Sequence, residues 1–204
     1  MTTPARASRA DHTRWLGEVR ALAGAVDRAG YDAVAGTATP HLDRLLVGAS
    51  TAANYSRLWL VTAAALAVAG GGRGRRAARQ GVLAVALTSA VTNLVLKPVA
   101  GRQRPARSGG RPAPDTRRVR RPVSTSFPSG HTASAFAFAS AAGQAAPGLR
   151  LPLRVAAATV AYSRVHTGVH YPSDVAAGAA VGDLCARVVR RLAGQPGAPA
   201  GMRR

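Results

Sequence analysis

The sequence predicts, with a mean hydropathy of only +0.02 that leaves contact with a membrane open, an all-α protein: a bundle of about five or six helices. Three observations carry this. Three long runs free of charge, 58–72, 80–96 and 132–149, have helix length. Two more apolar stretches, 151–163 and 175–192, carry Arg154 and Asp183 inside otherwise helical patterns, and an N-terminal segment shows amphipathic helical spacing.

Taken in order, residues 1–12 read as a disordered N-terminus, and 13–28 place Trp15, Leu16, Val19, Leu22, Ala23 and Val26 near helical spacing with charges between them. That pattern suits a helix lying at a membrane interface. A second apolar patch, with Leu45, Leu46 and Val47, follows Pro40, so 13–50 is read as amphipathic N-terminal helices. A bilayer core asks for about 20 mostly apolar helical residues, with about 17 as the lower bound. The runs 80–96 and 132–149 reach that range, and 58–72 falls just short. Gly178 and Gly182 form a small-xxx-small pair that permits close helix packing, although alanine-rich sequence also produces such pairs by chance. Residues 70–80 (GGGRGRRAARQ) read as a short basic connection, 101–126 as a long, mobile loop rich in Pro, Gly and Arg, and 194–204 as a disordered C-terminus. The main helical domain is thus expected over 51–193.

The chain of 204 residues has net charge +20, which draws it to anions: nucleic acid, an anionic bilayer or phosphorylated substrates. Lys97 is the only lysine among 28 basic residues, so compositional bias dilutes this signal. Aromatic residues are 4% and do not alternate with basic ones, which argues against a stacking platform for single strands and makes nucleic-acid binding the weaker reading. The single cysteine, Cys185, excludes an internal disulfide and a multi-cysteine metal site, and is expected to be a small buried side chain. The first fifteen residues lack the apolar core of a signal peptide.

If each run crosses the bundle once, connectivity parity brings three polar clusters to one end: Lys97 with Arg104, Ser129 with Gly130 and His131, and Arg164 with His170 and Asp174. Two guanidinium forks and an ammonium suit phosphate oxygens, and Gly130 at a helix start turns backbone N–H groups toward an anion. Imidazole serves as nucleophile or proton donor near neutral pH, and a carboxylate four residues after His170 is placed to fix its tautomer. Taken singly, a histidine at a helix start is more often a surface or capping residue; the ordered set of spacings is what reverses the odds. His12 and His41 are assigned to solvent or packing, and His166, one turn before His170, to the edge of the site. Arg117, Arg118, Arg120 and Arg121 read as a solvated or headgroup-binding loop.

The order Lys97-x6-Arg104-Pro105, Pro128-Ser129-Gly130-His131, Ser163-Arg164-x5-His170-x3-Asp174 resembles the three-part signature of the type 2 phosphatidic acid phosphatase superfamily, which includes bacterial acid phosphatases and vanadium haloperoxidases. The resemblance spans roughly 58–192. It implies a helical bundle of the haloperoxidase-like fold, membrane-spanning in the lipid-phosphatase branch, where six spans are common. It implies His170 as nucleophile, Asp174 as its orienter and His131 as proton donor. Lys97, Arg104, Ser129, Gly130 and Arg164 would hold phosphoryl oxygens, with no metal and no cofactor. The expected substrate is a lipid phosphate (polyprenyl phosphate or diphosphate, polyprenyl-linked sugar phosphate or phosphatidate), and the expected place is a bacterial plasma membrane with the site on the extracytoplasmic side. The alternatives are a vanadate-dependent haloperoxidase and a phosphatase of soluble esters.

Overall fold

The computed structural model describes residues 9–106 and 114–194; residues 1–8, 107–113 and 195–204 lie outside it, and with them most of both expected disordered ends and the middle of the Arg-rich loop. Among the described residues there are helices and turns and no strand. The helices are α1 (Arg9–Gly36), α2 (Pro40–Ala52), α3 (Arg57–Ala69), α4 (Gly71–Ala100), α5 (Gly130–Ala145), α6 (Arg150–His166) and α7 (Pro172–Leu192). The all-α expectation holds, and α1 and α2 account for the excess over five. Helix α1 already begins at Arg9, inside the segment read as unstructured.

Helix α5 is the axis of the bundle, packed by α4, α6 and α7. Its apolar run serves the protein interior: Ala133, Ala135, Ala137, Phe138, Ala139, Ala141 and Ala142 are all buried. The helix stops at Ala145, short of the run's end, and Pro147 and Gly148 occupy the turn that follows. Small side chains let its neighbours approach backbone to backbone. A Cβ at Gly178 would lie 2.6 Å from the Ser129 carbonyl oxygen, and one at Gly182 would lie 2.3 Å from that of Ala133. The glycine pair is therefore a packing seam between α5 and α7. Gly81 of α4 makes room for the Phe138 ring in the same way, and Trp59 of α3 stacks on that ring at 5.5 Å between centroids.

The stretch 70–80, expected as a short basic connection, is instead, from Gly71 on, the first third of α4. Arginine and alanine are strong helix formers, and Gly70 and Gly74 let α3 turn directly into α4, since a Cβ on Gly74 would sit 2.2 Å from the Leu66 oxygen. Toward its other end α4 widens into one π-helical stretch, Val91–Leu96, just before Pro98. Proline lacks the N–H that would close the next turn and its ring crowds the carbonyl four residues back, so a wider turn is an accommodation. Gly101 then ends the helix with φ +57, a left-handed conformation that glycine adopts without strain.

Arg154 and Asp183, the charges that weakened 151–163 and 175–192 as apolar segments, pair with one another at 3.1 Å. The helices alternate as parity required, so the end of α4, the start of α5 and the α6–α7 turn share one end of the bundle. The Ser129 amide donates to the Asp174 carbonyl at 2.9 Å, and Arg104 reaches the Val169 carbonyl at 2.9 Å.

Candidate active site

Arg104 leaves α4 on an irregular segment and is buried in a cage of acceptors. Its Nε donates to the Ser124 carbonyl at 3.0 Å, Nη2 to the Thr125 carbonyl at 3.1 Å, and Nη1 to Val169 O and toward His170 Nε2 at 3.0 Å. A guanidinium can only donate, so Nε2 of His170 is the acceptor and carries the lone pair. The opposite ring nitrogen, Nδ1, faces Asp174 Oδ2 at 3.4 Å and Ser126 Oγ at 3.5 Å.

His170 is presented by the tight turn after α6, in which the amides of Val169 and His170 both donate to the Arg164 carbonyl and Gly168 takes φ +70. Asp174 stands in the first turn of α7 and is fully buried. Its Oδ2 accepts from Ser126 Oγ and from the Tyr171 amide at 2.9 Å, and its Oδ1 accepts from Arg102 Nη1 at 2.9 Å. Burial lowers the His170 pKa to about 4; the bond to Asp174 works against this, and the charges of Arg164 and Arg104 work with it. The imidazole is therefore neutral and basic at Nε2 near neutral pH. Arg104 is lowered by burial, and by Arg121, only to about 10, so it stays charged there.

Ser129 caps α5: its Oγ accepts from Thr132 Oγ1 at 3.0 Å and from the Thr132 amide. Gly130 opens the first turn beside Lys97, whose Nζ would lie 3.6 Å from a Cβ added there. Lys97 itself donates to Asn93 Oδ1 at 3.0 Å and Ser124 Oγ at 3.2 Å. His131 Nε2 bonds Asn54 Oδ1 at 2.8 Å. Lys97, Gly130, His131 and Asn93 line a cavity of about 440 Å³, together with Tyr55 and Ser56. These last two residues hold positive φ, 53° and 58°, a strained turn of the kind found where a site fixes a side chain, here Asn54. Arg164 is 1% exposed, donates through Nη1 to Ser50 Oγ, and has no partner at Nε among the described residues.

All eight sequence-derived site residues thus gather at one end of the bundle: Lys97, Gly130 and His131 line the cavity, Arg104, His170 and Asp174 are bonded to one another, Ser129 links the two groups through its amide bond to the Asp174 carbonyl, and Arg164 is buried against Ser50. Ser124, Ser126, Arg102, Asn54, Ser50 and Asp27 were missed. The two serines lay in a stretch read only as loop, and Arg102 sits two residues from Arg104, which was the available signal. Asp27, Ser50 and Asn54 are distant in sequence and carry no local mark.

His166 belongs elsewhere. Its Nε2 meets Asp43 Oδ1 at 3.0 Å, and the same carboxylate takes Arg117 Nε at 2.9 Å. Arg117, expected in solvent, is 2% exposed; its Nη2 also donates to the Thr37 carbonyl at 2.6 Å, so it clasps the long loop to α1 and α2. Arg118 and Arg120 are exposed as expected, and Arg121 bonds the Pro105 carbonyl at 2.8 Å. Cys185 is buried and unpaired by disulfide.

The chain is similar in sequence and in fold to known proteins. The decaprenylphosphoryl-5-phosphoribose phosphatase of Mycobacterium tuberculosis is 45% identical over 73 residues, 36% of this chain and 40% of that protein, so the match spans less than half of the relative. Among solved structures, LpxE of Aquifex aeolicus superposes with TM-score 0.61 at 24% identity, covering 78% of this chain and 91% of that one. The transmembrane PAP2 type phosphatidylglycerolphosphate phosphatase of Bacillus subtilis superposes with TM-score 0.63 at 24% identity, covering 84% and 86%. At such identity these two establish the fold. The family model described as the PAP2 superfamily matches residues 79–196, more than half of the chain and all eight site residues, and the protein belongs to that superfamily.

Proposed function

We propose that the protein is a membrane phosphatase that removes phosphate from a lipid phosphomonoester or diphosphate through a phosphohistidine at His170. The observation that carries this reading is the polarised imidazole: Nδ1 faces a buried carboxylate while Nε2 keeps its lone pair beside Arg104. A phosphoryl group entering from the cavity draws Arg104 Nη1 from Nε2 onto one of its own oxygens, which frees the lone pair. Lys97, Arg164, Ser129 and the amides at the start of α5 hold the remaining charge. Nε2 then attacks phosphorus, the bond from phosphorus to the alkoxide breaks, and the alkoxide takes a proton from His131. In the second half His131 takes a proton from water, the hydroxide attacks phosphorus, and the phosphorus–nitrogen bond breaks to release phosphate and neutral His170.

The lipid class rests on the apolar exterior and on the relative's name. Large apolar side chains stand exposed around the helices, among them Val68, Leu83, Leu94, Val99, Leu151 and Leu192, and α4 is 30 residues long with an 18-residue window of mean hydropathy 1.7. Such a surface favours lipid over water. A polyprenyl-linked sugar phosphate is the leading candidate, since the Mycobacterium tuberculosis relative is named for one. The same surface supports a plasma-membrane enzyme with several crossings, and the family resemblance alone favours an extracytoplasmic site.

The test is phosphate release by detergent-purified protein and by His170→Ala, with EDTA present, on a polyprenyl-linked sugar phosphate, polyprenyl diphosphate, phosphatidate and a soluble aryl phosphate. The expected result is release unaffected by EDTA, highest on one lipid and abolished in the variant. Substantial turnover by His170→Ala would overturn the nucleophile assignment, and equal rates on the aryl ester and every lipid would overturn the lipid-adapted site.

A further inference from the structure

The residues around Asp174 extend beyond the part of the chain matched to the family. Arg102 places Nη1 on Asp174 Oδ1 at 2.9 Å and on Ser173 Oγ at 2.7 Å, and Nη2 on Asp27 Oδ2. Asp27 comes from α1, 75 residues earlier, and is 6% exposed. Its other oxygen, Oδ1, accepts the Ser173 amide at 2.8 Å, and Ser173 Oγ donates to Oδ2 beside Arg102. The guanidinium lies over the Tyr171 ring at 4.4 Å, which fixes its plane. Helix α1 is seated on the start of α7 at this point: a Cβ on Gly30 would meet Pro172 at 3.1 Å, and the Tyr31 and Tyr171 rings meet edge to face at 5.9 Å.

This is a carboxylate, guanidinium, carboxylate chain that ends on the group orienting His170. A fork that bonds two carboxylates at once has its direction set by both, and a buried carboxylate with one oxygen held cannot rotate to present the other differently. We propose that Asp27 and Arg102 are positioning residues for the reaction: the carboxylate of α1 sets the guanidinium that holds Asp174 in its contact with His170. The first helix is therefore part of the active-site apparatus. This inference rests on the reading of His170 as nucleophile.

The experiment measures kcat, KM and the pH profile of kcat/KM on the aryl phosphate for wild type, Asp27→Asn, Arg102→Gln, the double variant, Arg102→Lys and His170→Ala. In Asp27→Asn and Arg102→Gln, kcat falls by about 10- to 100-fold with KM within about twofold, the range typical of lost supporting contacts and of angstrom-scale misplacement. The double variant is no slower than the slower single one, because both act through Asp174. The acid limb of the profile moves in opposite directions. Losing Arg102 leaves the Asp174 charge less compensated, favours the His170 imidazolium and shifts the limb to higher pH; losing the Asp27 charge shifts it to lower pH. The other groups facing His170 (Arg104, Arg164, His131 and Asp174) are common to these variants.

Wild-type kcat in Asp27→Asn, or a loss of rate with the limb unmoved in both variants, would overturn the proposal. Should Asp27→Asn not survive purification, Arg102→Lys decides: it keeps the charge and loses the fork, so it must lose kcat by a similar factor, and full activity there refutes the role. Residual turnover by His170→Ala, by contrast, removes the nucleophile reading and leaves the contacts of Asp27 as they are.

Discussion

At the scale of single residues, the site is a set of protonation states imposed by surroundings. His170 is neutral because it is buried among cations, so the wild-type rate on the free-enzyme side should fall only as pH drops through about 4. The sign follows from the attacking form: neutral imidazole carries the lone pair, and protonation removes it. A pH profile of kcat/KM on the aryl phosphate checks this, and an acid limb near 6.5, the value of a free histidine, would contradict it. The groups of the candidate site were legible in the sequence because their type and spacing suit the proposed chemistry: a histidine with a carboxylate four residues on, a serine capping a helix, arginines around them. Ser126 was not legible. A serine in a coil becomes a ligand of Asp174 only once the chain around it has taken its path, and no local pattern encodes that path.

At the scale of elements, alanine and glycine decide the architecture. The pattern of apolar residues marked the regions of all seven helices in the sequence, yet it misassigned 70–80, where glycines looked like loop signals and instead serve close approach of α3 and α4. It also gave no sign that α5 would be the axis, since an alanine run reads alike whether it faces lipid or protein. The seam between α5 and α7 joins the Ser129–His131 segment to the Asp174 segment, so disturbing it disturbs the site. Gly182→Ala forces backbone apart and should destabilise the protein by about 1–3 kcal/mol, read as a lowered thermal midpoint in detergent. An unchanged midpoint would mean that the seam is softer than its distances imply.

At the scale of the whole molecule, the active end draws on α1 and α2 as well as the later helices, whereas the motif set lies within 97–174. The fold class was readable from composition and run length; the contribution of α1 and α2 was not, because it consists of contacts between residues 74 to 146 positions apart. The proposed orientation has a direct test. Val123 is fully exposed at the active end, so Val123→Cys in intact cells should react with a membrane-impermeant thiol reagent if that end faces outward. Protection in intact cells together with reaction in broken ones would place it inside. The Arg117 clasp also has a consequence in time. Asp43 is synthesised long before Arg117 and His166, its partners, and such distant contacts close late because the loop between them must first be ordered. Contacts absent from the folding transition state govern escape from the native state rather than entry to it. Arg117→Ala should therefore leave the refolding rate nearly unchanged and hasten unfolding, so that the clasp acts chiefly on how long a finished site survives.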